Sequence, residues 1–389
     1  MQIHVTLAFC GIAASLLLSG CGGSVKAPPE RSVASLKLIG QQILPRRMAF
    51  QGTVVGGMSG IDYDAANQRY VLMSDDRTAT DSANAPRFYS ASLTFSETAF
   101  SGAQLLSTVT MKQPDGSPFQ KVPSASVADP ESVRIDPASG NLVWTSEGDR
   151  SLTTTPQRII NPFIREMRPD GTHVREYALP AMFRMSASET GPRGNLAFEG
   201  LSFTPDGTRT VVITEGPLFG DGPTPTTTTG AVARVTVFDK TTGTALAQYA
   251  YPVDKVQVTP VPATAFSVSG ATEILAVTNT KFLVLERSFS VGVVGNQVRL
   301  YEIDLSQASN VLTTAALAPG AYTPVSKRLV LDFETLKTQL GGIANLEGIT
   351  FGPKLANGHD SLVVVADDNF PAADSTTDRN QILVFEVIP

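Results

Sequence analysis

The sequence predicts an all-β fold, a single β-propeller, from three observations: an internal repeat, the strand pattern inside each copy, and a composition poor in charge but rich in turn formers. Four stretches carry the repeat plainly: SGIDYDAANQRYVLMSDD from Ser59, ESVRIDPASGNLVWTSEGD from Glu131, EGLSFTPDGTRTVVITEG from Glu199 and EGITFGPKLANGHDSLVVVADDN from Glu347. A degenerate copy, EILAVTNTKFLVLER, begins at Glu273, so successive starts lie 72, 68, 74 and 74 residues apart. A period of that length that recurs along a chain is the mark of a repeat architecture. Charged residues make up only 17% of the 389, whereas Gly and Pro number 32 and 26.

Each copy follows one plan. A short strand alternates its apolar side chains, as in Val133 and Ile135, Leu201 and Phe203, or Ile349 and Phe351. A turn of Pro, Asp, Gly and Asn follows, then a nearly continuous apolar run: Leu142 to Trp144, Val211 to Ile213, Leu362 to Val365. Alternation followed by a doubly buried run suits the two inner strands of a packed blade. Two more strands complete a repeat, for example Arg87 to Phe95 with Gln104 to Met111, or Val232 to Asp239 with Ala245 to Tyr251.

Four antiparallel strands per repeat describe a propeller blade. The last copy shows three strands before Pro389, and Leu36 to Leu44 (LKLIGQQIL) is placed to supply the fourth, closing the ring non-covalently and hiding its edges. Five repeats are readable, and strand-like material in Pro252 to Ser269 and Ala315 to Phe333 leaves six blades open. The propeller domain is expected over residues 36–389. The threonine-rich stretch Pro223 to Gly230 reads as a surface loop.

The chain's start reads as an export signal. Leu7 to Leu18 is an apolar run too short to span a bilayer, and Leu18-Ser19-Gly20-Cys21 fits a lipobox in which Cys21 takes the lipid. Residues 1–20 are therefore expected to be a lipoprotein signal peptide, although the opening MQIH lacks the usual Lys or Arg, and residues 21–35 a lipidated tether. The expected location is the periplasm, attached to a membrane only by acyl chains on Cys21. Gly22 in place of Asp after that cysteine favours the outer membrane. With Cys10 and Cys21 both committed, the mature chain has no disulfide, no thiol nucleophile and no cysteine zinc site. The formal charge of −6 argues against nucleic acid as a partner.

The chemistry concentrates at strand ends. The first residue of an innermost strand and the last of its neighbour meet near the propeller axis, and in this chain both positions are repeatedly acidic. Strand starts carry Glu131, Glu199, Glu273 and Glu347, with Ser59 in the first copy. Strand ends carry Asp75, Glu147, Glu215, Glu286 and Asp367, with Asp76 and Asp368 adjacent. Carboxylates crowded in a desolvated funnel must take up protons, pair with cations or bind metal. Oxygen ligands with no Cys and few His select hard cations, chiefly Ca²⁺. The competing role for these acids is to cap strand ends by accepting backbone N–H groups. Arg77 and Arg287 follow acidic strand ends and suit either a two-pronged hold on phosphate or carboxylate, or simple neutralisation of Asp76 and Glu286.

Several familiar engines are missing. His173 and His359 are the only mature histidines, both in turn contexts (DGTHV, NGHDS) that predict exposed polar residues, so a Ser-His-acid triad has no base near the mouth. The nearest run to a nucleophile elbow, Gly57 to Ile61, lacks its final glycine. No H-E-x-x-H and no phosphate-binding Gly-rich loop occurs.

The ordered motifs GGMSGIDYD with YVLMSDDR, DPESVRID with WTSEGD, NLAFEGLSFTPDG with ITEGP, EILAV with FLVLER, and NLEGITFGP with ADDNF resemble the signatures of the "esterase-like activity of phytase" family. The resemblance runs from about Leu36 to Pro389, with two departures: Ser132 stands where Gly is usual, and the fourth copy is short. It implies a propeller, a periplasmic or secreted life, often as a lipoprotein, and phosphoester hydrolysis.

Two functions lead, with sugar or lactone chemistry as a lesser alternative. In the first, Ca²⁺ held by Glu131, Glu199, Glu347 and Asp367, with Asp75, Asp76 and Asp368 nearby, neutralises a small-molecule phosphate ester or other anionic ligand. Glu147 or Glu215 then takes a proton from the attacking water. In the second, a non-catalytic propeller binds a ligand or envelope protein and the calcium is structural. Fold alone does not separate them.

Overall fold

The computed structural model describes residues 31–77, 84–120, 124 and 126–389; the expected signal peptide, Cys21 and most of the tether lie outside these residues. Five four-stranded antiparallel sheets form a five-bladed propeller. Blade one is Met58–Asp64, Arg69–Ser74, Arg87–Phe95 and Phe100–Thr110, from the axis outward. Blade two is Pro130–Ile135, Leu142–Ser146, Phe163–Met167 and His173–Glu176. Blade three is Phe198–Phe203, Arg209–Thr214, Ala231–Asp239 and Ala245–Val253. Blade four is Ser267–Ala276, Lys281–Ser290, Gln297–Asp304 and Ser326–Asp332. Blade five takes Asn345–Phe351, Ser361–Asp367 and Gln381–Ile388 from the end of the chain, and its outermost strand, Ser35–Ile43, from the beginning.

That last strand closes the ring as the sequence predicts. Ser35 faces Ile388 and Ile43 faces Gln381 in antiparallel register, so the edge of the final strand is paired. Val33, just before it, is almost fully buried, so the chain joins the core a few residues ahead of the closing strand. Among the described residues there is no sixth blade. The strand-like residues of Ala315 to Phe333 are the outermost strand of blade four, and Pro252 to Ser269 is the crossing from blade three into an unusually long inner strand of blade four. Pro223 to Gly230 is a loop inside blade three. Among the described residues, no helix is long and apolar enough to cross a membrane.

The alternation of the strands is what builds the core. Each inner strand turns one set of apolar side chains toward each neighbouring blade, and five principal clusters fill the five interfaces. Leu72 and Tyr89 of blade one meet Val363 and Val365 of blade five. Val71 and Met73 of blade one meet Val133 and Trp144 of blade two. Val143 and Ile164 meet Leu201 and Val212 between blades two and three, while Ile213 and Val235 meet Ile274 and Val284 between blades three and four. Leu283 and Leu300 meet Leu346 and Leu362 between blades four and five. Burying one such side chain stabilises by about 1.5–3 kcal/mol, so the blade interfaces dominate the fold energy. The single Trp, Trp144, meets Phe119 and Phe163 edge-on, with ring centroids 6.0 and 5.0 Å away.

Near the axis the inner strands come too close for side chains. A Cβ on Gly60 would stand 2.6 Å from the Glu131 carbonyl oxygen, one on Gly200 2.4 Å from the Ile274 nitrogen, and one on Gly348 2.7 Å from the Ser59 carbonyl oxygen. Each of these contacts is with the backbone of the adjacent blade, which explains the recurring Ser-Gly or Glu-Gly pair. Gly200→Ala is expected to destabilise by about 1–3 kcal/mol through overpacking. A urea titration reads this, and an unshifted midpoint would mean that blades three and four part freely at the axis.

Candidate metal centre

The side chains at the mouth are aimed by a β-bulge in every innermost strand. Register shifts fall between Met58 and Gly60, Pro130 and Val133, Phe198 and Leu201, Ala271 and Glu273, and Leu346 and Gly348. A bulge leaves a residue outside the ladder and re-aims its side chain. The residues so placed are Ser59, Glu131, Glu199, Thr272 and Glu347. At the neighbouring strand the backbone pairs Asp75 with Gly57, Glu147 with Asp129, Glu215 with Ala197, Arg287 with Gly270 and Asp367 with Asn345.

This register corrects blade four. The sequence repeat aligns Glu273 and Glu286 with the ring acids, but Thr272 and Arg287 hold those places. Glu286 turns off the axis, where its carboxylate accepts from the Tyr251 hydroxyl at 2.6 Å and the Lys327 ammonium at 2.5 Å. Glu273 sits below the mouth. It pairs with Arg134 at 3.1 Å and accepts from the Ser132 hydroxyl and the Leu201 N–H at 3.0 Å each. Ser132 of blade two and Glu273 of blade four thus meet across the axis.

Two further expected ligands are not brought to the mouth. Asp76 is buried against Arg87, 3.0 Å away, with the Asn84 amide at 3.5 Å. Asp368 accepts from the Gly57 and Phe370 N–H groups at 3.1 and 3.2 Å and from the Asn380 amide at 2.8 Å. Both lie past the ends of their strands, Ser74 and Asp367, and these bonds hold them outside the cavity lining. The histidines are remote as well: His359 bonds Glu386 at 2.8 Å, and His173 lies in the outermost strand of blade two.

The remaining acids converge. A cavity of about 390 Å³ is lined by Asp75, Asp129, Glu131, Glu147, Glu199, Glu347 and Asp367, together with Arg77 and Arg287. Asp129 is not among the residues that the repeat singles out. It stands where blade five has Asn345, and its only signal is its place just ahead of Pro130 and Glu131. Three overlapping triples form: Asp75, Glu131 and Glu347; Asp129, Glu131 and Glu147; Glu147, Glu199 and Glu215. In each, one oxygen per residue lies within 4.8 Å of the other two. The arginines interleave with them. Arg77 pairs with Asp129 at 2.9 Å, and Arg287 spans Glu215 at 3.2 Å and Glu347 at 3.6 Å.

Burial first, and repulsion between neighbours second, holds Asp75, Glu131, Glu147, Glu199 and Asp367 well above the usual carboxylate range. Asp129 and Glu215 are pushed up to about 7, chiefly by burial, with Arg77 and Arg287 respectively pulling the other way. A cation placed among the triples would relieve this repulsion.

Asn345 supplies a further observation. Its amide N–H₂ donates to Glu347 at 2.8 Å and Asp367 at 3.1 Å, which fixes the amide's orientation. Its carbonyl oxygen is then left buried without a hydrogen-bond donor among the described residues. A buried carbonyl oxygen beside clustered carboxylates is the donor set that a hard cation takes. The buried acidic clusters are thus able to hold a metal, and the residues fit Ca²⁺ in chemistry.

The family model "Phytase-like: Esterase-like activity of phytase" matches residues 53–370. No curated protein matches the chain. Among solved structures, the chain is similar to an endo-arabinase from Bacteroides thetaiotaomicron at 11% identity, covering 86% of this chain and 95% of that one, with a TM-score of 0.41. It is also similar to a native arabinanase from Bacillus subtilis at 12% identity, covering 87% and 97%, with a TM-score of 0.40. A gluconolactonase from Xanthomonas campestris matches at 10% identity, covering 92% and 99%, with a TM-score of 0.33.

Proposed function

The chain belongs to the esterase-like activity of phytase family, and on that premise we propose that it hydrolyses a small phosphate ester at the acidic mouth with a hard divalent cation, Ca²⁺ first. The observation that carries this reading is the run of three interlocking carboxylate triples, all of whose members except Glu215 line one cavity. Asp75, Glu131, Glu199, Glu347 and Asp367 are the residues that would hold the cation, with the Asn345 carbonyl oxygen beside them. When bound, it supplies positive charge next to the phosphate and makes nearby water more acidic.

The chain's own groups have separate tasks. Glu147, which lines the cavity, is assigned as the proton acceptor for the attacking water, whereas the expected second acceptor, Glu215, is paired with Arg287 and is not among the lining residues. One Glu147 oxygen accepts the Ala197 N–H at 2.6 Å, which fixes the carboxylate's orientation. Arg77 and Arg287 border the same cavity and would exchange part of their carboxylate pairing for the phosphate oxygens. The protein is held in the periplasm by acyl groups on Cys21, at the outer membrane, in this proposal.

A second reading, a non-catalytic binding propeller with structural calcium, is favoured by the way ring residues already tie blades together. Arg287 of blade four reaches acids of blades three and five, and Glu147 of blade two reaches the start of blade three. Turnover of an aryl phosphate and of phytate, with added Ca²⁺ or with chelator, separates the two. Hydrolysis is expected with Ca²⁺, to vanish on chelation, and to fall roughly a hundredfold or more in both Glu131→Gln and Glu199→Gln. No turnover under any condition, with Ca²⁺ still raising the Tm, would leave the binding reading.

A further inference from the structure

The three most exposed large apolar side chains among the described residues are Val294, Val261 and Phe266, with 75%, 65% and 65% of their surface open to water. They lie together. The Val261 N–H donates to the Val291 carbonyl at 2.8 Å, and the Val291 N–H donates to the Phe266 carbonyl at 3.0 Å. The Ser290 hydroxyl donates to the Val258 carbonyl at 2.6 Å, and Val258 and Val291 are exposed as well. The crossing into blade four and the turn after Ser290 are thereby fixed as one apolar ledge.

The ledge belongs to the mouth. The inner hairpin of blade four runs past the ring level, where Gly270 faces Arg287, up to Ser267 facing Ser290. Three residues of strand raise it about 10 Å above the acids. Phe289, whose ring centroid lies 6.4 Å from that of Phe266, lines the acidic cavity, and so does Asn296 beyond Val294. One continuous surface therefore leads from exposed apolar side chains to clustered carboxylates.

We propose that the ledge receives the apolar part of the substrate while the phosphate enters the cavity, so that the substrate class is an aryl or alkyl phosphate. This deepens the phosphate-ester reading and rests on it. Five side chains fall far short of the ~800 Å² per partner that a stable protein interface buries. The clustered carboxylates beside the ledge disfavour an anionic bilayer surface.

The test is calorimetric binding of naphthyl phosphate and glycerol phosphate to the intact protein with Ca²⁺ present. It compares the wild type with a double variant, Val261→Ser and Phe266→Ser, whose exposed positions leave the core untouched. The wild type is expected to prefer naphthyl phosphate by roughly tenfold, and the double variant to lose that factor on naphthyl phosphate alone. No preference in the wild type, or an unchanged preference in the variant, overturns the proposal. So does a ledge-dependent attachment to phosphatidylcholine vesicles without a naphthyl preference. Ledge-dependent binding without turnover of either ester would sink hydrolysis and keep the ledge. Turnover of both esters that ignores the substitutions would sink the ledge alone.

Discussion

Without divalent cations, the protein is expected to lose stability as the pH rises from about 5 to about 8, and added Ca²⁺ is expected to restore it. The sign follows from the ring acids. Asp129 and Glu215 titrate at about 7 in the fold, against about 4 in an unfolded chain. Between those values the native state holds protons that the unfolded state has released, so stability falls through the window and the loss is complete above the folded value. One buried carboxyl displaced by about three pH units carries on the order of 4 kcal/mol. The ring acids titrate together, so their contributions do not add, and a total loss of several kcal/mol is expected. Carboxylates held low by their partners, such as Asp64 and Glu386, act in the opposite direction but below about pH 4, outside this window. Calcium bound only by the native state adds stability by mass action and does so most where the ring is ionised. Calorimetric melting in chelator and in Ca²⁺ at the two pH values reads both effects. A metal-free Tm that stays level or climbs across the window would show that the ring carries no net repulsion.

Arg134→Met is expected to destabilise the propeller by about 3–5 kcal/mol, the usual consequence of leaving a buried charge without its partner. Arg134 lies on the axis and donates to the Ile61 carbonyl at 2.6 Å, the Ile274 carbonyl at 3.2 Å and the Ile349 carbonyl at 3.1 Å, in blades one, four and five. Its ion-pair partner Glu273 takes the Ser132 hydroxyl of blade two and the Leu201 N–H of blade three. A single buried pair thus touches all five blades below the acidic cavity. Glu273 already titrates at about 7 because burial outweighs the help of Arg134, and removing the guanidinium removes the largest compensation. A chemical denaturation midpoint measures the loss. The double replacement Arg134→Met with Glu273→Leu is expected to recover much of it, since apolar pairs of similar volume often replace buried ion pairs at little cost. A loss under about 1 kcal/mol in the single variant would mean that the blade interfaces alone hold the ring.

The interplay of sequence and structure is clearest in blade four. By letter, Glu273 and Glu286 match the acids of the other copies, and they open and close strands of the right composition. The structure gives the ring places to Thr272 and Arg287, one residue away in each case. A strand alternates faces with period two, so an offset of one residue sends a side chain to the other side of the sheet. The bulge that sets this phase leaves no mark in a copy that lacks the Glu-Gly pair. The same limit applies to Asp76 and Asp368, which stand next to ring acids in sequence and end in structural bonds to Arg87 and to backbone amides.

The sequence by itself determined the five readable repeats, the strand order in each blade, closure by a strand within Leu36 to Leu44, and the gathering of Asp75, Glu131, Glu147, Glu199, Glu215, Glu347 and Asp367 at one mouth, while leaving a sixth blade open. These features are local or periodic: alternation, turn residues and a recurring acid at a strand end are written within a few residues of each other. Only the tertiary structure decided the place of Asp129 in that cluster, the Arg134–Glu273 pair on the axis, the buried Asn345 oxygen that has no donor among the described residues, and the apolar ledge over the cavity. Each of these depends on residues tens to hundreds of positions apart meeting across blades. That meeting is fixed by bulge register and blade packing, which no short stretch of the chain encodes.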